Sequence, residues 1–318
     1  MKKIECFKIR LLKGSDKNVW KINEMERILD IPCDRFSLSL NPKTILADPF
    51  LFVFNNILYL FFESKKNYSY GEIQMICTTD LSNWSAPITV LKETGHLSYP
   101  FVFEYDNEVY MIPESSYLNE VRLYKADNDN LSSFSYYKTL IDDYHDGIEV
   151  GFSDSSIYNK DGLFYLMTSK RNIDGENVYY LYLSEDLLGS YYSHPQSPIL
   201  ISKKYGRNAG SLIEIDGKLY RVAQDCEKRY GDNVHLFEVD ELSNLSYKEH
   251  LVRHNLIPLN NSFYKEGGHQ YNVAIYNDVY LVATDAKEYH TFGLCRIIHK
   301  FGMIINRLFF QKVLSIFA

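Results

Sequence analysis

The chain has 318 residues, of which 46% are hydrophobic and 24% are charged, a composition typical of a globular protein with a sizeable core. Its formal net charge is −7 and no basic stripe runs through the body of the sequence, which argues against nucleic acid as a partner. Aromatic residues reach 15%, with 27 Tyr and 19 Phe, and this favours β-strands over helices.

The N-terminal segment predicts a strand but no targeting signal. "MKKIECFKIRLLKGSDK" carries charges throughout and lacks the continuous apolar core of a signal peptide. No run of about 18 apolar residues is present to span a bilayer. We therefore expect a cytoplasmic location, and we expect "ECFKIRLLK" to form a strand that completes the fold from its far end.

Five related hairpins follow along the chain, the first being "ADPFLFVFNNILYLFFES". In each, an apolar run is followed by a turn of the Asn-Asn, Asp-Asn, Asp-Gly or Asn-Asp kind and a second apolar run, the sequence pattern of a β-hairpin. The predicted hairpins lie near 47–64, 98–116, 152–170, 208–226 and 267–286. Further strand-like segments separate them.

A repeat of about 55 residues with four strands in each unit is the signature of a β-propeller. The fold class predicted is therefore all-β, a five-bladed β-propeller, with residues 1–298 as a single domain. A pair of β-sandwich domains is the alternative fold, but it would not explain why the same spacing of residues recurs in all five hairpins.

The hairpins share a register that points to one end of the molecule. Each second strand holds one Tyr, and these are Tyr59, Tyr110, Tyr165, Tyr220 and Tyr280. Eleven residues before them stand Asp48, Tyr99, Asp154, Ala209 and His269, and four residues after them stand Glu63, Glu114, Ser169, Gln224 and Thr284. Both sets belong to the open ends of the hairpins, so we expect them to ring the mouth of a central channel.

This predicted ring is rich in groups that could bind and transform a sugar. Two carboxylates facing across a sugar are what glycosyl chemistry requires, and the candidate catalytic residues are Asp48, Glu63, Glu114 and Asp154. The candidate substrate-binding residues are Tyr99, Lys170, Arg207, Gln224, Asp225, His269 and Asp285. Lys170 and Arg207, with Arg171 and Arg221 nearby, could hold the phosphates of an activated donor. Solvated loop ends and simple charge balance remain the alternatives.

Other chemistries lack their motifs. The sequence has no P-loop, no GxGxxG before a helix, no HExxH and no GxSxG. Its five cysteines are scattered without a CxxC or a Cys/His metal spacing and are expected to be reduced thiols. We therefore expect no metal site and no cofactor.

The motifs resemble two related groups of proteins. "ADPFLF" in the first repeat is similar to the first blade of the propeller glycosidases of the family 43-like superfamily, a resemblance that implies Asp48 as base or nucleophile. "LADPFLF", "VYMIPESS" and "RNAGSLIEIDGKLYRVAQDC" resemble the propeller region of glucosamine inositolphosphorylceramide transferases and related bacterial surface-polysaccharide propellers. Tyr99 and Asp154 depart from the glycosidase pattern, which favours sugar transfer over plain hydrolysis.

The last residues leave the repeat. Apolar residues of "IIHKFGMIINRLFFQKVLSIFA" recur at helical spacing with interspersed cations, and this predicts an amphipathic helix at 299–318. Such a helix could lie on the inner face of a membrane, or it could pack against the propeller or a partner subunit.

Together these features predict a carbohydrate-active enzyme of cell-surface polysaccharide or glycoconjugate biosynthesis. The favoured function is a glycosyltransferase that uses a nucleotide-activated sugar donor and a glycan or lipid-linked acceptor. A glycoside hydrolase and a non-catalytic glycan-binding propeller remain the alternatives.

Overall fold

The structure, a computed structural model, describes residues 3–34, 42–142 and 150–291. The prediction of an all-β protein is confirmed, because the described residues form strands and only two short 3-10 helices, Ile22–Glu24 and Ser116–Leu118. Within these ranges no helix has the length and apolar character needed to span a membrane. The helix predicted at 299–318 lies outside the described residues.

The chain begins with two antiparallel strands, β1 (Lys3–Gly14) and β2 (Glu26–Ile31). The first hairpin and its neighbours follow as β3 (Lys43–Phe54), β4 (Ile57–Lys66), β5 (Glu72–Thr78) and β6 (Ile88–Leu91). Asn55 and Asn56 form the turn of this hairpin with φ of 50° and 58°. Two successive left-handed residues match the twist of the flanking strands, and Asn tolerates that conformation well.

The second unit is a four-stranded sheet in the order β10-β9-β8-β7. Its strands are β7 (Ser98–Tyr105), β8 (Glu108–Glu114), β9 (Glu120–Ala126) and β10 (Phe134–Asp142). The third unit contains β11 (Val150–Lys160), β12 (Leu163–Arg171), β13 (Asn177–Ser184), β14 (Tyr192–Ser193) and β15 (Leu200–Ile201).

The fourth unit contains β16 (Ile213–Ile215), β17 (Lys218–Asp225), β18 (Asn233–Leu242) and β19 (Tyr247–Arg253). Its first strand is shorter than the sequence predicts, and an isolated bridge joins Asn208 to Ala223. The backbone between them approaches another hairpin: a Cβ on Gly210, whose φ is 156°, would lie 2.3 Å from the carbonyl oxygen of Tyr271. Only glycine allows this approach.

The last hairpin, β20 (Tyr271–Tyr276) and β21 (Val279–Thr291), pairs with the first strand of the chain. β1 runs antiparallel to β21 from Lys3 opposite Thr291 to Gly14 opposite Tyr280. A single parallel pair, Phe7 with Ile45, then joins β1 to β3, which gives an eight-stranded sheet with β2 as a branch. The segment predicted from "ECFKIRLLK" therefore forms a strand beside the last hairpin.

The core lies between neighbouring hairpins. Phe50, Tyr99, Phe101, Phe152 and Phe164 come from β3, β7, β11 and β12 and form one buried cluster. Burying side chains of this size stabilises a fold by roughly 1.5–3 kcal/mol each. Packing of this kind holds the open ends of the hairpins in fixed relative positions.

Three of the hairpins contain the same backbone irregularity at the same place. The register shifts between Ala47 and Phe50, between Ser98 and Phe101, and between Ser153 and Ser156. Inside these bulges Asp48, Tyr99 and Asp154 have φ of 51°, 46° and 53°. Left-handed backbone is costly for a side chain as large as Tyr, and such strain concentrates at functional sites.

Candidate functional site

The bulges bring the open ends of the hairpins together through hydrogen bonds. The amide of Asp48 donates to Asp285 Oδ2 at 3.3 Å, and the amide of Tyr99 donates to Asp48 Oδ2 at 3.2 Å. The amide of Asp154 donates to Glu114 Oε2 at 3.3 Å. Each bulge therefore donates to a carboxylate of a neighbouring hairpin, which brings the carboxylates to one end of the structure.

The fourth and fifth hairpins join the same arrangement. Asn208 Nδ2 donates to the carbonyl of Asp154 at 3.0 Å, and the Asn208 amide donates to Ser169 Oγ at 3.4 Å. The amide of Tyr271 in turn donates to the carbonyl of Ala209 at 2.7 Å. Every one of the five predicted open ends is thus bonded to another.

Asp48, His269 and Asp285 form a compact buried set, called here the His269 group. Nδ1 of His269 lies 3.5 Å from Asp48 Oδ1 and 2.6 Å from Asp285 Oδ2, while the imidazole stacks on Phe7 at 4.6 Å between ring centroids. Burial alone would lower the pKa of His269, but Asp285 and then Asp48 raise it to about 9. Burial raises the pKa of Asp48 to about 7, although His269 opposes the shift.

The His269 group could also hold a metal ion. Its three potential ligand atoms lie within 4.8 Å of one another, and two carboxylates with one imidazole suit a divalent cation. With the imidazole protonated, the group is instead satisfied as an ion pair. Without a cation, burial keeps the pKa of Asp48 near 7.

Glu114, Asp154, Arg207 and Gln224 form a second set, called here the Arg207 group. Nε of Arg207 bonds to Asp154 Oδ2 at 2.5 Å, and a terminal nitrogen bonds to Glu114 Oε2 at 3.3 Å. Gln224 Nε2 donates to Asp154 Oδ2 at 3.0 Å. Burial, followed by the nearby Asp154, raises the pKa of Glu114 to about 8 while Arg207 opposes the shift.

Glu63 lies on β4 at the same open end and is almost completely buried. Its Oε1 is 3.4 Å from Nε2 of His96. Burial lowers the pKa of His96 to about 4, so the pair is not a stable ion pair at neutral pH. Burial and then Asp48 raise the pKa of Glu63 well above its ordinary value. Burial and the neighbouring Asp48 carboxylate therefore both favour the protonated form of Glu63, which lies beside the His269 group.

Tyr230, which lies outside the repeating sequence register, connects the two sets. Its ring centroid is 4.9 Å from that of His269 and 5.3 Å from the guanidinium carbon of Arg207. Burial raises the pKa of its hydroxyl well above the ordinary value, and Asp48 contributes while Arg207 opposes. Lys287 holds the segment by donating to the carbonyl of Tyr230. The residue is 41% exposed, so it forms an aromatic surface that solutes can reach.

Other predicted site residues lie elsewhere or face away. Asp225 follows Gln224 on β17, so its side chain points to the opposite face, where it bonds to Nε2 of His235 at 3.0 Å. Lys170 lies over the ring of Phe152, 4.4 Å from its centroid. Arg221 makes a bidentate ion pair with Glu249. Arg207 is placed in the cluster by its bonds to Glu114 and Asp154.

The arrangement supplies the parts of an acid and base site. Asp48, with a pKa near neutrality, can accept a proton, while Glu114 can donate one. Arg207 places a fixed positive charge beside Glu114, where negative charge on a leaving group would be stabilised. The side chains of both polar sets are largely buried, and exclusion of water strengthens the hydrogen bonds and charge interactions between them.

Known proteins with similar sequences are plant enzymes. The chain is 38% identical over 215 residues to glucosamine inositolphosphorylceramide transferase 1 of Oryza sativa subsp. japonica, which is 65% of this chain and 28% of that protein. It is 34% identical over 226 residues to the protein of the same name from Arabidopsis thaliana, which is 69% of this chain and again 28% of the relative. The chain thus spans somewhat more than a quarter of these relatives.

Solved structures show the fold. A thermostable family-43 glycoside hydrolase matches with a TM-score of 0.56 and 15% identity, covering 78% of this chain and 90% of the other. Zg3597, a family 117 glycoside hydrolase from Zobellia galactanivorans, matches with a TM-score of 0.53 and 12% identity, covering 80% and 91%. These likenesses confirm the predicted resemblance to the propellers of the family 43-like superfamily.

A family model covers most of the described structure. It is described as glucosamine inositolphosphorylceramide transferase 1, N-terminal, and it matches residues 15–282. This range includes nearly all of the five hairpins and every residue of the two polar sets except Asp285. The chain therefore belongs to the family of glucosamine inositolphosphorylceramide transferase 1 N-terminal regions.

Proposed function

We propose that this chain is a five-bladed β-propeller that binds an activated sugar at the open ends of its hairpins and transfers the sugar to a glycan or lipid-linked acceptor. The observation that carries the proposal is the convergence there of the Asp48 and Glu114 carboxyl groups, both with raised pKa values, and the Arg207 guanidinium. The names of the plant relatives contain both a sugar, glucosamine, and an inositolphosphorylceramide.

The five-blade arrangement is supported by the pairing of the strands. Three units form separate sheets, and the remaining eight strands are joined across β1 and β3 by one parallel pair. Counting this large sheet as two blades gives each blade one of the five hairpins. Closure through β1, which pairs along its length with β21, is how propellers protect their sheet edges.

In the proposed reaction Asp48 acts as the base. Its carboxylate accepts the proton of the acceptor hydroxyl while that oxygen attacks the anomeric carbon of the donor. Protonated Glu114 and Arg207 stabilise the departing phosphate oxygen, Glu114 through its proton and Arg207 through its charge. Asp285 and His269 hold Asp48 in position, and the aromatic face of Tyr230 is available to the sugar.

The experiment that tests the proposal follows the consumption of donor. The purified chain is incubated with a panel of nucleotide sugars that begins with nucleotide-activated glucosamine, and release of the nucleotide is measured with and without inositol phospholipid. We expect one donor to be consumed, and faster when the acceptor is present. The absence of consumption across the panel would contradict transfer by this domain.

Two other functions each have one observation in their favour. The paired carboxyl groups of Asp48 and Glu114 would also serve a glycoside hydrolase, which would release sugar from an aryl glycoside without any nucleotide. A glycan-binding domain is favoured by the partial exposure of Tyr230, an aromatic residue that lies beside both polar sets. In that case ligand binding would survive Asp48→Asn and Glu114→Gln, and nothing would be turned over.

The pH dependence of turnover should report the two carboxyl groups. As a base, Asp48 must be ionised, so kcat/KM rises as the pH passes about 7. As an acid, Glu114 must be protonated, so kcat/KM falls again as the pH passes about 8. A bell-shaped profile is expected, and Glu114→Gln should remove its falling limb. A falling limb that persists in this variant would assign the acid to another group.

Tyr230 should contribute to binding rather than to folding. Because the residue is 41% exposed and its ring lies beside both His269 and Arg207, Tyr230→Ala is expected to weaken donor binding by about tenfold, or about 1.4 kcal/mol. Isothermal titration calorimetry with the identified donor measures this. Tyr192→Ala is the matched control, since Tyr192 is 50% exposed and lies on β14, outside both polar sets. Equal effects of the two substitutions would contradict the assignment.

A further inference from the structure

A third cluster of chemically reactive groups, whose residues belong to neither polar set, lies where the first and last strands of the chain meet. Cys6 on β1 stands directly opposite Glu288 on β21. His290 lies two residues beyond Glu288 and so projects from the same face of that strand. Cys33, just after β2, completes the cluster from a third segment.

Three potential ligand atoms of this cluster converge, and the Glu288 carboxylate lies against two of these residues, Cys33 and His290. The sulfurs of Cys6 and Cys33 and a ring nitrogen of His290 all lie within 4.8 Å of one another. Cys33 Sγ is 3.8 Å from His290 Nε2 and 3.0 Å from Glu288 Oε1. For comparison, zinc bond lengths in a tetrahedron place neighbouring ligand atoms about 3.4–3.8 Å apart.

We propose that Cys6, Cys33, His290 and Glu288 form a structural zinc site. Two sulfurs, one imidazole and one carboxylate give the four ligands that a closed tetrahedral site needs, and thiolates select zinc over magnesium or calcium. Both sulfurs are buried, at 0% and 4% exposure for Cys6 and Cys33, while the side chains of Glu288 and His290 are partly exposed. The ion can therefore enter from the outer side.

The charges balance when zinc is bound. Two thiolates and the Glu288 carboxylate carry three negative charges, and zinc supplies two positive ones. Lys8 supplies the third positive charge, because its Nζ is 2.7 Å from Glu288 Oε2. The other carboxylate oxygen, Oε1, is the one that contacts His290. The lysine also orients the carboxylate, as second-sphere groups do at metal sites.

The site would bind together the segments that join the two ends of the chain. β1 carries Cys6, β21 carries Glu288 and His290, and Cys33 fixes the segment after β2. Binding energy at such a site adds to the stability of the folded state, because the ligands are far apart in the unfolded chain. Loss of zinc is expected to loosen this junction.

The test is metal analysis of the full chain, purified under reducing conditions from zinc-supplemented medium. We expect about one zinc per chain by inductively coupled plasma mass spectrometry, and cobalt replacement should give a thiolate-to-cobalt absorption band. Cys33→Ser should lose both signals. Cys77→Ser is the matched control and should keep them, since Cys77 on β5 is outside the cluster.

A milder variant keeps the proposal testable if Cys33→Ser fails to fold. Glu288→Gln should lower zinc affinity by at least about tenfold in a competition titration with a chromogenic chelator. A chelator should also lower the Tm of the unmodified chain. Absence of stoichiometric zinc and of the cobalt band from the reduced chain would overturn the proposal, as would a Cys6–Cys33 disulfide found in that same preparation by mass spectrometry.

Discussion

Replacing Asp48 with Asn is expected to lower kcat/KM for donor turnover by about 10²–10⁴-fold, the contribution typical of a general base. The substitution keeps the size of the side chain and the left-handed backbone at φ 51°, which Asn tolerates. It also keeps an oxygen able to accept from the Tyr99 amide. The loss should therefore appear in turnover while binding of the sugar donor is largely retained.

The matched control for this substitution is Asp106→Asn. Asp106 has a similar φ of 52°, but it lies in an exposed hairpin turn outside both polar sets. Its replacement should leave turnover unchanged. If Asp48→Asn retained the turnover of the unmodified chain, Asp48 would not be the base and the proposed mechanism would be wrong.

Replacing Glu249 with Ala is expected to destabilise the fold by about 3–5 kcal/mol, the cost of breaking a buried ion pair by removing one partner. Arg221 is 1% exposed and bonds to Glu249 at 2.7 and 2.6 Å. Its guanidinium is enclosed by the rings of Tyr179 and Phe237. Without Glu249 this charge would stay buried with the carbonyl of Tyr205 as its acceptor.

Chemical denaturation measured by circular dichroism gives the free energy of unfolding. Glu241→Ala is the control, because its ion pair with Lys248 is largely exposed and contributes little. We expect no measurable change in that variant. A Glu249→Ala chain as stable as the unmodified one would show that Arg221 finds water or another partner.

The sequence predicts the all-β fold well because its signals are local. The Asn55-Asn56 turn, flanked by apolar runs, is enough to predict a hairpin, and its repetition predicts the architecture. The exception is the fourth repeat, where the first strand is reduced to Ile213–Ile215. That shortening depends on the close approach of Gly210 to Tyr271 in another hairpin, which no local pattern contains.

The spacing of residues within the repeats also predicts much of the candidate site. It does not predict which of two successive residues on a strand faces that site. Counting from the fixed place of one Tyr per repeat selects Asp48, Glu114 and His269, which the structure does bring to the same end. The same counting selects Gln224 in the fourth hairpin, which bonds to Asp154, but it selects Thr284 in the fifth, where the next residue, Asp285, is the one that contacts His269. Knowing which face is inward requires the packing of the neighbouring hairpins.

Contacts between distant segments are what the sequence could not supply. Tyr230 lies in the connection after β17, outside the repeating register, and only the fold places it against His269 and Arg207. Cys6 and Cys33 lack metal-binding spacing along the chain, and their convergence with His290 depends on the pairing of β1 with β21. For the proposed zinc site, the one local feature of the sequence is that Glu288 and His290 stand two residues apart and so share one face of a strand.

The central claim is that the open ends of the hairpins bind a sugar between the His269 and Arg207 groups. A crystal structure of the chain soaked with the nucleotide sugar that it consumes tests this claim most directly. We predict density for the sugar within hydrogen-bond distance of Asp48 and Glu114, with its phosphate beside Arg207 and its ring against Tyr230. Density for the donor at any other surface, with these residues contacting only one another, would contradict the account.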